Sequence, residues 1–290
     1  MTSGEPGRTG VRKAEVADQK AIIAIAMATG QDEDWDEVYP GYIRHLMTHG
    51  SLLVAERSGV VAGFGATLRI GTGPRAISML TDLFVDPAAH GTGTGRAILG
   101  KLWTGEARRM TFSSLHANAL PLYTRFGVDA WWPLLYLRGD VRQLRMPESW
   151  SVSPADPGHA AALELDWTGI DRTADHRFWA GWPHGSGVVA SRDGQQTAAG
   201  TVGGAGPEHG ISHLAIAPEM GAHAAGDAVI AVLSWLEPAD GQARVCLPAP
   251  HPATRPLLAA GWRVEEFDLH MASELGLIDP RRLAPSAALA

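Results

Sequence analysis

The sequence predicts an α/β protein of the α+β kind, built as two similar units in tandem, each a mixed, mostly antiparallel sheet flanked by helices. Three observations carry this expectation. The chain has 290 residues, about twice a common domain of ~100–200 residues. Each half reads as a short strand and a helix, a run of strands in a meander, and then helix, strand, helix and strand. Two segments recur in the same order at nearly constant spacing, which is the mark of a duplicated unit.

The elements follow in order. "VRKAEVADQKAIIAIAMA" reads as a strand and an amphipathic helix capped by Asp18, because an aspartate before an apolar-periodic run satisfies free backbone N–H groups. "GSLLVAE", "GVVAGFGATLRI" and "AISMLTDLFV" are the meander, and they deliver the chain into "DPAAHGTGTGRAIL". After the aromatic strand "WWPLLYLRGD" comes a linker at Arg145 to Ser149. "WSVSPADPGHAAALELDW" then restarts the pattern, with Asp156 as cap and Pro157 at the first helical position, where a missing N–H costs nothing. The predicted units are residues 10–145 and 150–275, with 276–290 as a loose tail ending in "PRRLAPSAALA".

The repeat is specific in two places. "FVDPAAHGTGTGRAILGKLW" aligns on "AIAPEMGAHAAGDAVIAVLS", Pro87 against Pro218, and "HANALPLYTRFGV" aligns on "HPATRPLLAAGWR", His116 against His251 and Gly127 against Gly261. The offsets are 131 at the prolines and 135 at the histidines.

Composition narrows the function. A net charge of −7 argues against a nucleic-acid partner, which calls for a basic stripe, and fits a cationic small molecule or peptide better. The single cysteine, Cys246, rules out an internal disulfide framework or a multi-cysteine zinc site and reads as a small buried apolar residue. The polar "MTSGEPGRTG" lacks the apolar stretch of a signal peptide, and the longest apolar run, "AVIAVLSWL", is far below the ~20 residues that span a bilayer. These features point to a cytoplasmic chain without a membrane partner. Twelve histidines are present, but no H-E-x-x-H or comparable spacing, so no metal is expected. Assembly as a homodimer is left open.

The three alternate glycines, Gly91, Gly93 and Gly95, fit neither a P-loop, since no lysine follows Gly95, nor a G-x-G-x-x-G fingerprint. What remains is a strand feeding a glycine-rich turn whose N–H groups can point at an anion from a helix start, or a tight turn with no ligand. Here a resemblance becomes specific. "LFVDPAAHGTGTGRAIL" resembles the pyrophosphate-binding signature of the GNAT acetyltransferase superfamily, and "ANALPLYTRFGV" resembles its later A-x-x-L-Y-x-x-x-G-[FVM] signature. The likeness extends from Val11 to about Asp140.

The resemblance implies acetyl-CoA as acyl donor. It assigns the backbone of Leu83, Phe84 and Val85 to the pantetheine arm, and Gly91, Thr92, Gly93, Thr94, Gly95 and Arg96 to the pyrophosphate. His90 stands where the family has Arg or Gln, and His116, with Asn118 two residues on, stands where it commonly has Asn. Asp82 matches a family Glu or Asp position and is expected as the base; strand alternation puts it on one face with Leu80 and Phe84. Tyr123 matches the tyrosine beside the departing sulfur. "QDEDWDEVYPGY", Gln31 to Tyr42, falls where the family roofs its acceptor site. Its five carboxylates around Trp35 either attract a cationic amine or complement a helix dipole. Trp131 and Trp132 either line that cleft or fill the core.

In the second unit Gly93, Arg96 and Tyr123 correspond to Ala224, Asp227 and Leu258, so that copy is expected to be degenerate. "DWTGIDRTADHRFWAGWPHG" is then a packing or lid segment. The sequence thus predicts an acetyl-CoA-dependent N-acetyltransferase acting on a primary amine. A non-catalytic acyl-CoA sensor, and transfer of another acyl group or to a hydroxyl, stand as alternatives.

Overall fold

A computed structural model describes residues 9–30, 39–204 and 209–289. The first half runs β1 (Gly10–Lys13), α1 (Gln19–Ala28), α2 (Tyr39–His49), β2 (Gly50–Arg57), β3 (Val60–Ile70), β4 (Ile77–Val85), α3 (Thr94–Leu102), β5 (Arg109–Ser113), α4 (Ala119–Arg125) and β6 (Asp129–Asp140). The second repeats that order with β7 (Trp150–Ala155), α5 (Pro157–Thr168), α6 (Thr173–Ala180), β8 (Ser186–Arg192), β9 (Gln195–Val202), β10 (His209–Ile216), α7 (Ala222–Trp235), β11 (Gln242–Pro248), α8 (Thr254–Ala259) and β12 (Arg263–Ala272). A short β13 (Leu283–Ala284) follows. The mixed sheet with helices on its faces is the fold class expected from the sequence.

All these strands form one sheet in the order β1-β2-β3-β4-β5-β12-β6-β11-β10-β9-β8-β7. The two units are therefore interleaved: β12, the last long strand of the second half, pairs with β5 of the first, while β6 of the first half pairs with β11 of the second. β6 and β12 also pair with each other, from Arg263 opposite Arg138 to Ala272 opposite Asp129.

The cores follow the exchange. One face of the first half buries Ile22, Tyr42, Ile43 and Phe64 together with Trp179 from α6 and Leu289 from beyond β13. The opposite face buries Leu80, Ile98, Leu99 and Tyr123 against Met271 of β12. The second half packs α7 on its sheet and takes Leu137 and Val141 from the first.

Local chemistry explains most elements and corrects two. Asp156 accepts from Gly158 N at 2.8 Å with Pro157 next to it, as expected of a cap. Asp18 makes no such bond to α1; instead it accepts from Arg12 Nη1 at 2.6 Å and from Glu15 N at 2.7 Å, because a buried carboxylate beside a guanidinium gains more from that pair. Residues 276–290 are not a loose tail. Within their described part, β13 pairs with β10, and Leu277, Ala284 and Leu289 are buried, because apolar side chains there find exposed core to cover.

"DWTGIDRTADHRFWAGWPHG" is a packing segment. His45 Nε2 meets Asp175 Oδ1 at 2.8 Å and stacks on Phe178, and Arg172 donates to the Leu289 carbonyl. These contacts tie α2, α6 and the tail together.

Candidate active site

β4 creates the site by leaving its neighbour. It runs parallel to β5 only as far as Leu80 opposite Thr111, and the β3–β4 register slips between Asp82 and Leu80, a bulge at Thr81. Beyond it, Asp86 N donates to Ala62 O. Hydrogen-bonded pairs alternate along an antiparallel ladder, so the backbone groups of Leu83 and Val85 turn away from β3 into the opening. His90 Nε2 lies 2.9 Å from Val85 O in that opening, and its ring meets His116 edge-on.

The bulge also corrects the face assigned to Asp82. Leu80 packs with Leu83 among the α3 and α4 side chains, whereas Phe84 packs on the α1 and α2 side. Asp82 joins Phe84 there, accepting from the Tyr42 hydroxyl of α2. One inserted residue shifts strand alternation by one, and this separates Asp82 from Leu80.

The glycine loop opens toward the same wedge. Gly91 and Gly93 have φ of +73° and +85°, and a Cβ at either would meet nothing within 4 Å. Glycine is thus needed for its backbone conformation, and the space above it is open. Gly93 is the N-cap of α3, so the first N–H groups of the helix face that space. The helix sits close because β3 offers glycines: a Cβ on Gly65 would come within 2.8 Å of Ile98. Thr92 Oγ1 bonds Ala89 O at 2.6 Å and lies 2.9 Å from Thr94 Oγ1, bracing the turn. Arg96, His116 and Asn118 are exposed at its rim.

A cavity of about 720 Å³ lies at the wedge, between the two halves. Asp82 and Tyr123 both line it, with Tyr39 and Tyr42 of α2. Asp82 is 7 % exposed and accepts from Tyr42 and from Thr81, each at 2.7 Å. Burial raises its carboxyl to about 6, and the two hydrogen bonds hold the rise in check. Tyr123, also 7 % exposed, has a hydroxyl with no hydrogen-bond partner among the described residues. Burial, with Asp268 and Asp82 nearby, pushes that phenol up.

Sequence reasoning missed the far wall. β6 and β12 bring Tyr136, Glu266 and Asp268, and the tail brings Ala287 and Ala288. No local signal marks them, since their place depends on the strand exchange. Cys246 lines the same wall, its thiol pushed up to about 12 by burial, then by Asp268, so it is no ready nucleophile. Trp131 is half exposed and donates to Ala272 O, while Trp132 stacks on His270 at 4.2 Å; neither is among the cavity residues. Gln31 to Val38, with Trp35, lies outside the described residues.

The second half repeats the geometry and closes it. Its bulge falls between Ile211 and His213, 131 residues after Leu80 and Asp82, and its parallel pairing ends at Ile211 opposite Val245, as the first ends at Leu80 opposite Thr111. The matching wedge is filled: β13 pairs with Leu214 and Ala215, which correspond to Leu83 and Phe84. His213 replaces Asp82 and is sealed in by Glu164 at 2.9 Å and by stacking on Trp179. Glu164 also meets His176 at 2.7 Å. Burial would raise its carboxyl, but His213, His176 and Arg172 outweigh that and hold it well below the usual range. The ligand atoms of Glu164, His176 and His213 all lie within 4.8 Å of one another in this buried group, where both imidazoles hydrogen-bond the one carboxylate. Helix α8 is one residue shorter than α4, and Leu257 is buried whereas Leu258 is 43 % exposed, so Leu257 is the true counterpart of Tyr123.

Residues 48–128 match the family model "Acetyltransferase (GNAT) domain", a span holding the bulge, the glycine loop and Tyr123. Comparison with curated proteins gives no match. Among solved structures, a putative acetyltransferase from Pyrococcus horikoshii superposes with a TM-score of 0.71 at 12% identity, covering 97% of this chain and 94% of that one. A tandem GNAT protein from the clavulanic acid biosynthesis pathway gives 0.59 at 14%, covering 94% and 100%. The GCN5-related glucosamine N-acetyltransferase region of a fungal multi-domain GH3 beta-N-acetylglucosaminidase gives 0.66 at 15%, covering 93% of this chain and 38% of that one. This chain thus spans well under half of the fungal protein. At these identities the likeness is one of fold. No helix among the described residues is long and apolar enough to cross a membrane. Residues 48–128, which hold the splayed β4–β5 wedge and the glycine cradle, are thus the part of the chain that is similar to an acetyltransferase domain of the GNAT kind.

Proposed function

We propose that the protein transfers an acetyl group from acetyl-CoA to a primary amine of a small molecule or peptide by direct attack on the thioester. The observation that carries this reading is that Asp82 and Tyr123 share one cavity at the mouth of the β4–β5 wedge. The pantetheine arm lies along the outward backbone groups of Leu83 and Val85. The pyrophosphate rests on the N–H groups of the Gly91–Arg96 turn, with the Arg96 guanidinium as a charge-assisted contact.

A lysine-like acceptor of pKa ~10.4 must lose a proton, at a cost of about 4.6 kcal/mol at pH 7. Asp82, raised to about 6 by burial, is ionised at that pH and basic enough to take the proton directly or through one water. The amine nitrogen then forms the new C–N bond as the C–S bond breaks. The Tyr123 hydroxyl donates a hydrogen bond to the departing sulfur. Full proton transfer from Tyr123 is uphill, since a thiol near 8.5 is a stronger acid than a phenol near 10 and burial weakens this phenol further. The thiolate takes its proton from solvent, and Asp82 returns its proton the same way.

The second half acts as a non-binding copy whose wedge holds its own tail, while its β12 completes the first site. The test is a thiol-release assay with acetyl-CoA and an amine panel. Amide formation with stoichiometric thiol is the expected result. Tight CoA binding without turnover on any acceptor would instead make the protein a sensor, and transfer only to alcohols or only from longer acyl-CoA would redefine the substrates.

A further inference from the structure

The second half buries a polar trio that acetyl transfer does not use. Glu164 of α5, His176 of α6 and His213 of β10 meet beside Trp179, and none of the three is more than 2 % exposed. His176 Nε2 lies 2.7 Å from Glu164 Oε2, and His213 Nε2 lies 2.9 Å from Glu164 Oε1. Both imidazoles thus aim the same nitrogen at one carboxylate, each at its own oxygen. His176 and His213 follow Glu164 by 12 and 49 positions, on three separate elements, so no local spacing marks them.

As a hydrogen-bonded group alone, the trio is incompletely satisfied. Each imidazole must then carry its proton on Nε2 to donate to Glu164, which leaves Nδ1 as a bare acceptor. His176 Nδ1 has the Thr201 hydroxyl at 2.8 Å, but His213 Nδ1 is buried with no partner among the described residues. A polar group left over in a dry network is costly, and no hydrogen bond here offsets it. A cation uses the same geometry differently. Both Nε2 lone pairs and the carboxylate face the ion, and His176 donates from Nδ1 to Thr201 Oγ1, the kind of partner that ordinarily stands behind a ligating histidine. Arg172 is close, but Asp175 matches its charge at 3.1 Å, so the Glu164 charge is the one an added cation balances.

We infer that Glu164, His176 and His213 form a closed structural zinc site that ties α5, α6 and β10 together. Two imidazoles and a carboxylate are a donor set that suits zinc. Zinc holds such atoms at about 2.0–2.2 Å, which sets tetrahedral ligands about 3.3 Å apart. The imidazole-to-carboxylate spacings therefore need to open by about half an ångström. Burial leaves no approach for a substrate, so the ion holds structure and enters as the chain folds. His213 stands where the first half has Asp82, so the second copy has a metal ligand at the place of the base. Trp179, stacked on His213, also belongs to the core beneath α2, and the ion steadies that support.

The experiment produces the full chain in medium supplied with zinc and in zinc-starved medium, removes loosely held metal with a chelator, and measures zinc by mass spectrometry. About one zinc per chain is expected from the supplied medium, with a melting temperature several degrees above that of the starved protein. Glu164→Gln keeps the shape and a carbonyl acceptor but loses the charge. In it and in His213→Gln, zinc content should fall about tenfold or more, and the melting difference should vanish. X-ray absorption at the zinc edge of the wild type reads the site without any variant, and two imidazoles with oxygen ligation are expected. Zinc below about a tenth of an equivalent in the wild type, undiminished zinc in Glu164→Gln, or an edge spectrum without imidazole would overturn the proposal.

Discussion

Tyr42 donates its hydroxyl to Asp82 Oδ2 across 2.7 Å, and Thr81 donates to the same oxygen at the same distance. One carboxylate oxygen is thus held by α2 and by the bulge, and among the described residues Oδ1 accepts from nothing. A structural carboxylate would use both oxygens. A base needs one free.

Asp82→Asn should therefore lose turnover by about 10²–10⁴-fold, the usual worth of a general base, while gaining stability at neutral pH. Burial raises this carboxyl from 3.8 to about 6, so the folded chain binds the proton more tightly than the unfolded one. The resulting stability is greatest below about pH 4 and is lost as pH climbs through about 6. Thermal melts should show the wild type declining across that window and Asp82→Asn flat within it. A variant that loses both activity and stability at pH 7 would make Asp82 structural.

Tyr42→Phe removes one donor from the ionised carboxylate and keeps the ring in its core. The acidic limb of kcat, expected near pH 6 in the wild type, should move upward by about one unit, the worth of a hydrogen bond to a charged group. An unmoved limb would separate Asp82 from the rate.

Tyr123→Phe should lower kcat about 10²-fold with little change in acetyl-CoA affinity or melting temperature, because its hydroxyl has no protein partner to abandon. Calorimetry with CoA checks the affinity. A large affinity loss would place the hydroxyl in donor binding instead.

Gly93→Val sets a β-branched residue at φ +85° and fills the space above the α3 N–H groups. Strain of about 1–3 kcal/mol and a loss of CoA affinity beyond about tenfold are expected. Unchanged CoA binding would refute the cradle.

Leu289→Ala should cost about 2–5 kcal/mol, a large penalty so near the end of the sequence. Leu289 is fully buried beside Tyr42 and Trp179. Denaturant unfolding reads the loss; a change under about 0.5 kcal/mol, ordinary for a surface site, would mean that the tail is not packed as described.

Much of this was legible in the sequence because it is local. The glycines at 91 and 93, the Asp156 cap and the strand into Val85 each depend on residues a few positions apart. The spacing of the repeat carries into the structure, where His213 stands 131 residues after Asp82 and each follows a bulge. The face of Asp82 was not legible, because a bulge is an extra residue in a strand pair and neither strand alone reveals it. Nor was the exchange of β6 and β12. Both read as a final strand, and the apolar pattern of "WWPLLYLRGD" fits a neighbour in either half. The tail misled for a related reason: its alanines and prolines look like loose chain until there is an open wedge for them to fill.

The exchanged strands set an order in time. A ribosome that has made residues up to 145 has already made every residue assigned here to acetyl-CoA, along with Asp82 and Tyr123. At that stage β5 has a bare edge and β6 has neither of its sheet neighbours. The cavity gains its far wall only when β12 and the segment through Ala288 emerge, so the nascent first half must wait, exposed, for most of another domain to be translated.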